Sequence, residues 1–229
     1  MIWEKLKSRR NFVKKILIEK LNAKKVLCGF NFTFGKGKSG NPEILKEILE
    51  KNRIELEVQE AVFDDNLEVI SSTNIRKHIK ETNLEKVKKL LGHNLIILGK
   101  VIHGKQLGRT IGFPTANLKF ENRVYPSFGV YGVKIYFYEK GILKTYTGVM
   151  NIGRNPTVDK DNLSVETHIF DFDKDIYGKY ILIEIFKNIR KEIKFNSIDE
   201  LKNQIDKDSK YWKNEVKKIK EQDRENKIR

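Results

Sequence analysis

The stretch GKVIHGKQLGRTIGFPTANL, residues 99–118, decides how the second half of the chain is interpreted. It contains a glycine-rich loop that begins at Gly104. Glycines allow backbone N–H groups to approach phosphate oxygens closely, because no Cβ intervenes. Lys105 and Arg109 add positive charge to the same loop. The pattern therefore predicts that Gly104, Lys105 and Arg109 bind phosphate groups.

Two residues near the end of this stretch, Thr115 and Asn117, are candidate metal ligands. Their side-chain oxygens are hard ligands separated by one residue, the kind that Mg²⁺ prefers. The stretch lacks the Walker A spacing GxxxxGK[ST]. We therefore expect either a phosphate-binding loop beside a magnesium site, as a phosphotransferase requires, or an ordinary hairpin with a basic turn.

The composition indicates a folded, globular protein of one large or two small domains. The chain has 229 residues, of which 39% are hydrophobic and 34% are charged. Its single cysteine, Cys28, excludes an intramolecular disulfide and fits a reducing cytoplasm. The first residues are too charged for a signal peptide, and no apolar run approaches the ~20 residues that cross a bilayer. We expect a cytoplasmic protein with no membrane partner.

The net charge of +15 raises nucleic-acid binding as one hypothesis. The lysines, however, alternate with Glu and Asp along the whole chain, which is typical of solvated helix faces. A positive field also attracts nucleotide substrates, because they are polyanions. We therefore expect nucleotides, rather than nucleic acids, as partners.

Residues 1–92 predict a partial α/β region, in which helices and strands alternate. Helix signals include Asn41-Pro42 at a predicted helix start and Gly92 after a predicted helix end. We predict helices over 8–21, 74–80 and 84–91, and a further helix that starts at 42. The predicted strands are 25–30 and 54–58. We place the first domain boundary at 92/93.

Residues 93–229 differ in character, because strands dominate until a long final helix. The predicted strands are 96–103, 129–138, 143–150, 164–170 and 181–186. Many short strands separated by turn residues favour a closed barrel or a sandwich. Ser197 and Glu200 form a capping box before the final helix. The sequence therefore predicts an α+β chain in two parts.

A candidate base lies in the predicted strand SVETHIF, residues 164–170. Alternation along a strand places Ser164, Glu166 and His168 on one face. A carboxylate there can accept a proton from an attacking hydroxyl. The alternatives are that Glu166 is a surface carboxylate and that His168 is a structural histidine with its hydrogen bonds satisfied.

Five segments, taken in order, resemble the riboflavin kinase family and cover nearly all of 95–208. They are GKVIHGKQLGRTIGFPTANL, YPSFGVYGV, GVMNIGRNPTV, VETHIFDFDKDIYG and IRKEIKFNSIDELKNQIDKD. The resemblance implies a six-stranded Greek-key β-barrel with a C-terminal helix. It also implies transfer of the γ-phosphate of ATP to the 5′-hydroxyl of riboflavin, which gives FMN and ADP.

The resemblance also implies roles for individual residues. The ATP-phosphate loop would contain Gly104 and Arg109, the Mg²⁺ ligands would be Thr115 and Asn117, and the base would be Glu166. Thr157 and Arg190 fall on motifs near the flavin and phosphate sites. From residue type alone, we expect Tyr125, Phe128 and Tyr177 to help enclose the isoalloxazine ring.

Two segments of the first half, VLCGFNFTFGKGKSG and ISSTNIR, resemble the bacterial FMN adenylyltransferase, or FAD synthetase, module. That module is a Rossmann-like nucleotidyltransferase, which is normally fused in front of riboflavin kinase in a bifunctional enzyme, so the resemblance implies a partial Rossmann-like fold here. Its hydroxyls and its arginine help to hold the triphosphate of ATP. The matching positions here are Ser71, Ser72, Thr73 and Arg76.

The first half departs from that module at two points. Asn31 stands where the family usually has aspartate, and the four histidines contain no HxGH spacing. We therefore expect a truncated module, an active kinase and an inactive adenylyltransferase. A second hypothesis keeps both activities, with the missing segment supplied by a separate chain or by a misassigned start. A third is a flavin-binding protein without turnover, but Thr115, Asn117 and Glu166 argue against it.

Overall fold

The computed structural model describes residues 8–104, 107–120, 124–154 and 163–228. Contacts between residues divide the chain into two compact units, Met1–Ile70 and Ser71–Arg229. None of the described helices is both long enough and apolar enough to span a membrane.

The first unit is a small α/β arrangement around a parallel pair of strands. Its helix α1 begins as an α-helix over Arg9–Asn11 and continues with π-helical hydrogen bonding over Phe12–Lys20; then follow β1 Lys25–Gly29, a 3₁₀ turn Lys36–Lys38, α2 Pro42–Glu50 and β2 Glu55–Gln59. Strands β1 and β2 pair in parallel, with Cys28 opposite Val58. The four predicted elements before residue 60 are therefore confirmed, within one or two residues at most ends.

Helix α2 shows why this part of the sequence folds as predicted. The Asn41 side chain accepts a hydrogen bond from the backbone N–H of Ile44, and Pro42 occupies the first turn, where it loses no helical hydrogen bond. Leu45 and Leu49 lie on the inner face and are fully buried. Together with Val13, Phe34 and Ile54 they form the core of this unit.

The second unit begins with two helices and continues into strands. Its elements are α3 Ser72–Lys80, α4 Leu84–Leu91, β3 Leu95–Ile102, α5 Leu107–Thr110, β4 Ala116–Phe120, β5 Gly129–Glu139, β6 Ile142–Arg154, β7 Leu163–Ile169, β8 Tyr180–Lys191 and α6 Ile198–Ile228. Helix α4 ends at Gly92, which adopts a left-handed conformation, as the sequence predicts.

Six strands of this unit form a closed barrel in the order β3-β4-β7-β6-β5-β8. All six neighbouring pairs are antiparallel. The predicted six-stranded barrel with a C-terminal helix is therefore confirmed. Strand β4 and helix α5 were not predicted, because the sequence of 104–118 reads as one continuous loop.

Two layers of apolar side chains stabilise the barrel. The interior is filled mainly by branched and aromatic residues; its buried members are Ile97, Val101, Leu118, Tyr131, Val133, Ile135, Phe137, Met150, Ile152, Val165, Ile169, Ile176, Ile181, Ile183 and Ile185. Outside the barrel, Trp212 of α6 is fully buried against Val130, Val149 and Phe170. The Trp212 indole N–H donates to the carbonyl of Val133 at 3.2 Å, so α6 is fixed in register on the barrel wall.

Helices α3 and α4 belong to the barrel unit. The Ser127 backbone N–H donates to the Thr82 hydroxyl, and the Ser127 hydroxyl donates to the Lys80 carbonyl. Leu84 also packs against the barrel core. These contacts explain why the compact units divide at Ile70/Ser71, whereas the sequence motifs divide at 92/93.

Candidate active site

Four strands bring a row of residues together on the outside of the barrel. Glu166 of β7 lies directly opposite Asn117 of β4 on one side and Asn151 of β6 on the other. Asn151 in turn lies opposite Val130 of β5. Directly opposed residues in a sheet project from the same face. On β7 the alternate residues, among them Val165, are buried in the barrel, so the row faces outward, as the alternation in 164–170 predicts.

The Glu166 carboxylate lies between two hydroxyl groups. The Thr115 hydroxyl is 3.4 Å from Oε2, and the Ser164 hydroxyl is 3.2 Å from Oε1. Glu166 is half-buried, so the carboxylate is both oriented and accessible. One strand and the segment before β4 thus bring together the predicted base and one of the predicted metal ligands.

The second predicted metal ligand, Asn117, lies against Gly104. A Cβ at position 104 would clash with the Asn117 side-chain amide, so any other residue would force the Asn117 side chain to move. A Cβ at Gly108 would likewise clash with the carbonyl of Phe113, whose backbone N–H donates back to the Gly108 carbonyl at 2.8 Å. These glycines therefore serve close packing between the loop and the residues that precede and begin β4.

Helix α5 carries Arg109 to the edge of a cavity of about 410 Å³. Thr115, Thr167 and Tyr177 also line this cavity. The Thr167 hydroxyl is buried and has no hydrogen-bond partner among the described residues. The volume is in the range of small-molecule and cofactor sites. Lys105 and Thr157, both predicted to bind the nucleotide or the flavin, lie outside the described residues.

Hydroxyl, amide and carboxylate oxygens meet at this edge of the barrel. Within the described ranges no group of three or more His, Cys, Asp or Glu side chains forms a metal cluster. The side-chain oxygens of Thr115 and Asn117 instead have the chemistry that Mg²⁺ prefers, and Mg²⁺ usually takes few protein ligands. These residues fit a magnesium–nucleotide complex.

The family profile described as riboflavin kinase matches residues 91–216, more than half of the chain. The chain belongs to the riboflavin kinase family. A second profile, described as FAD synthetase, matches residues 5–74. Together the two matches follow the order of motifs in the sequence.

Curated relatives match most of this riboflavin kinase family member. A protein of Buchnera aphidicola is 39% identical over 88% of this chain, one of Escherichia coli K12 is 37% identical over 87%, and one of Bacillus subtilis is 38% identical over 88%. Each is named bifunctional riboflavin kinase/FMN adenylyltransferase. The matches cover 64%, 62% and 63% of the relatives, so the chain spans a little under two thirds of their length.

A solved structure from Streptococcus pneumoniae, described as a macrolide-efflux protein, is also similar. It is 35% identical, has a TM-score of 0.72, and the match covers 90% of this chain and 65% of that one.

His168 has a structural place in this kinase-family barrel. Its Nδ1 lies 2.9 Å from the Pro114 carbonyl, to which it donates, and its ring packs edge-on against Phe113 and Phe170. Burial lowers the pKa of His168 below its ordinary value of 6.5, so the neutral ring is favoured. His168 thus fixes the residue immediately before Thr115, in agreement with the structural interpretation.

Arg190 is bound to the final helix. Its guanidinium makes a two-pronged ion pair with Asp208, with nitrogen–oxygen distances of 2.9 Å, and Asp208 is only 4% exposed. It also donates to the Lys191 carbonyl and lies over the Phe195 ring. The described contacts thus tie Arg190 to α6 through Asp208. Its predicted place near the substrate remains a prediction.

The residues of the ISSTNIR motif lie in the first turns of α3. Ser71 caps the helix by accepting from the Asn74 backbone N–H, and Arg76 donates to the Ser72 hydroxyl at 3.1 Å. Thr73 follows in the same turn. The motif residues are therefore held together on one helix, while their role in binding a triphosphate stays a prediction.

The three aromatic residues expected around the flavin ring lie in two places. Tyr125 and Phe128 are parallel, with ring centroids 6.3 Å apart, and Arg154 lies over Phe128. Tyr177 instead stacks on His103 at the cavity beside Thr115. The sequence did not predict that the three residues lie in two different places, because residue type does not show which strand ends lie close together.

Proposed function

We propose that this chain is a riboflavin kinase, which transfers the γ-phosphate of ATP to the 5′-hydroxyl of riboflavin. The observation that carries the proposal is the juxtaposition of Glu166, Thr115 and Asn117 across the β4–β7 pair. Membership in the riboflavin kinase family supports the choice of acceptor.

Glu166 acts as the general base in this proposal. The 5′-oxygen of riboflavin attacks the γ-phosphorus, the bond from that phosphorus to the β,γ-bridging oxygen breaks, and ADP leaves. The proton of the hydroxyl passes to the Glu166 carboxylate, which the hydroxyls of Ser164 and Thr115 hold in place. Phosphoryl transfer needs mainly positioning and charge stabilisation, and a pre-oriented carboxylate meets the first need.

The loop before β4 supplies the second need. Thr115 and Asn117 would hold Mg²⁺, which when bound neutralises phosphate charge in such reactions. Gly104 brings the loop close to Asn117, and Arg109 adds a positive charge at the rim of the cavity. The cavity of about 410 Å³ beside Thr115 would receive the rest of the nucleotide.

The direct test is incubation of the pure protein with riboflavin, ATP and Mg²⁺, followed by chromatographic separation of flavins. We expect FMN and an equal amount of ADP. If the folded protein consumes neither ATP nor riboflavin at a measurable rate, the proposal is contradicted. That result would favour a flavin-binding protein without turnover.

A second candidate is adenylylation of FMN to FAD. It is favoured by the FAD synthetase match over residues 5–74 and by the names of the curated relatives. The same chromatography, started with FMN and ATP, tests it separately: a peak of FAD with release of pyrophosphate supports the second activity, and its absence limits the chain to phosphoryl transfer.

A further inference from the structure

The side from which the acceptor alcohol reaches Glu166 follows from the strand order. Strand β7 lies between β4 and β6, so Glu166 has Asn117 on one flank and Asn151 on the other. The β4 flank carries both proposed magnesium ligands, and therefore the phosphates. The β6 flank carries neither of these ligands.

Phosphoryl transfer adds a directional requirement. The attacking and leaving oxygens lie roughly in line through the transferred phosphorus. Because the leaving ADP belongs to the β4 flank, the acceptor approaches from the β6 flank. An alcohol that gives its proton to Glu166 then lies next to Asn151.

The separation of the two side chains suits a polyol. Neighbouring strands are about 4.8 Å apart, and directly opposed Cβ atoms are about 4.5–5.5 Å apart. Hydroxyls on nearby carbons of an extended polyol can therefore contact Glu166 and Asn151 at the same time. Asn151 is half-buried, and no described residue hydrogen-bonds to its side chain.

The space around Asn151 is bounded on two sides. Its next residue on the same face is Gly153, where a Cβ would clash with the Glu192 carboxylate. Beyond Asn151 in the row, Val130 is covered by Trp212 of α6. A polyol that reaches Glu166 past Asn151 therefore lies between the Glu192 carboxylate and the wall formed by α6.

We propose that the Asn151 side-chain amide binds the 3′- or 4′-hydroxyl of the ribityl chain and so positions the 5′-hydroxyl against Glu166. The inference rests on the proposed function and names a part of its substrate site. Asn151 supplies a hydrogen-bond donor and acceptor, whereas Glu166 takes the proton. The ligand chemistry is therefore a polyol that ends in a primary alcohol.

The test compares the wild type with Asn151→Ala on riboflavin, 3′-deoxyriboflavin and 4′-deoxyriboflavin. With riboflavin we expect kcat/KM to fall about 10-fold, the effect of one lost hydrogen bond to a substrate. With the analogue that lacks the contacted hydroxyl, the two proteins should react equally well. The KM for ATP should not change. The exposed residue Asn66 provides the matched control, Asn66→Ala, which should behave as the wild type.

Two results would overturn the inference. One is an unchanged kcat/KM of Asn151→Ala with riboflavin; the other is an equal loss with riboflavin and with both analogues. If Asn151→Ala does not fold, Asn151→Val carries the same comparison, since a β-branched residue suits a strand and valine has no hydrogen-bonding group. Failure of the wild type to make FMN would instead refute the proposed function itself.

Discussion

The two units of this chain differ in how the edge strands of their sheets are paired. In the barrel, each of the six strands pairs on both sides, so the sheet has no free edge. In the first unit, two parallel strands pair only with each other within the described residues. Exposed apolar side chains occur on strands of both units, such as Leu27 at 59% in β1 and Leu98 at 54% in β3, so the difference lies in strand pairing.

This difference shows which unit can hold side chains in fixed positions relative to one another. In the barrel, register fixes Glu166 opposite Asn117 with no freedom to slip, because a one-residue shift would turn the buried Val165 outward. A two-stranded sheet has only marginal stability by itself, so it fixes the positions of its side chains less strictly. The proposed kinase site accordingly uses residues of the barrel unit alone.

The largest effect should come from Glu166→Gln. The amide keeps the size of the side chain but accepts no proton, so we expect kcat for FMN formation to fall about 10²–10⁴-fold. ATP binding, measured by calorimetry, should be nearly unchanged. The matched control is Glu221→Gln, at an exposed position of α6. A wild-type rate for Glu166→Gln would show that another group is the base.

Trp212→Ala tests how far the barrel depends on α6. Trp212 is fully buried and fixes the helix to the wall, so we expect the free energy of unfolding to fall by about 3–5 kcal/mol. Urea unfolding followed by near-ultraviolet circular dichroism measures this. The neighbouring Tyr211 is 40% exposed, and Tyr211→Ala should cost at most about 1 kcal/mol. Equal losses would mean that α6 is not a structural part of the barrel.

Leu45→Ala separates the two units. Leu45 is fully buried in the first unit, so its truncation should destabilise that unit by about 2–5 kcal/mol. The rate of FMN formation should stay that of the wild type, because the proposed site lies in the other unit. Hydrogen exchange reports the first effect, and the kinase assay reports the second. A parallel loss of kinase rate would show that the units are energetically coupled.

The smallest effect concerns pH. Since burial lowers the pKa of His168, the folded protein binds fewer protons there than the unfolded chain does. The stability that comes from the neutral ring is therefore present above the ordinary pKa of 6.5 and is lost as the pH falls below it. Denaturant unfolding at about pH 7.5 and about pH 5 measures the loss, which should be smaller in His168→Asn, a variant that keeps a donor and cannot be protonated. If the stability of His168→Asn depends on pH in the same way as that of the wild type, His168 is not the cause of the dependence.

The sequence predicted regular elements well where periodicity and end signals were strong. Alternation in 164–170 correctly placed Glu166 on the outer face, and the capping signals before α2 and after α4 were confirmed. The capping box before α6 forms with a shift, because Glu200 reaches the Asn196 backbone N–H, while Ser197 caps Glu200.

Long-range contacts were beyond the sequence, since they depend on register. Asn151 stands in the motif GVMNIGRNPTV, yet only the β6–β7 pairing shows that it lies opposite Glu166. The Arg190–Asp208 pair joins a strand to a helix 18 residues away, and local sequence patterns do not reveal a contact over that distance. Strand β4 escaped prediction because proline and glycine residues precede it and hide its short alternating pattern.

The pairing of β3 with β8 has a consequence for how the protein is made. Leu95 lies opposite Ile185, so the barrel closes only when segments ninety residues apart in the sequence meet. Bringing such distant segments together costs loop-closure entropy before any stabilising contact forms. We therefore expect the barrel to fold slowly, in about milliseconds to seconds. On the ribosome, the barrel therefore keeps an open edge until Lys191, the last residue of β8, has left the exit tunnel, although β4, β6 and β7, which carry the proposed catalytic row, emerge earlier.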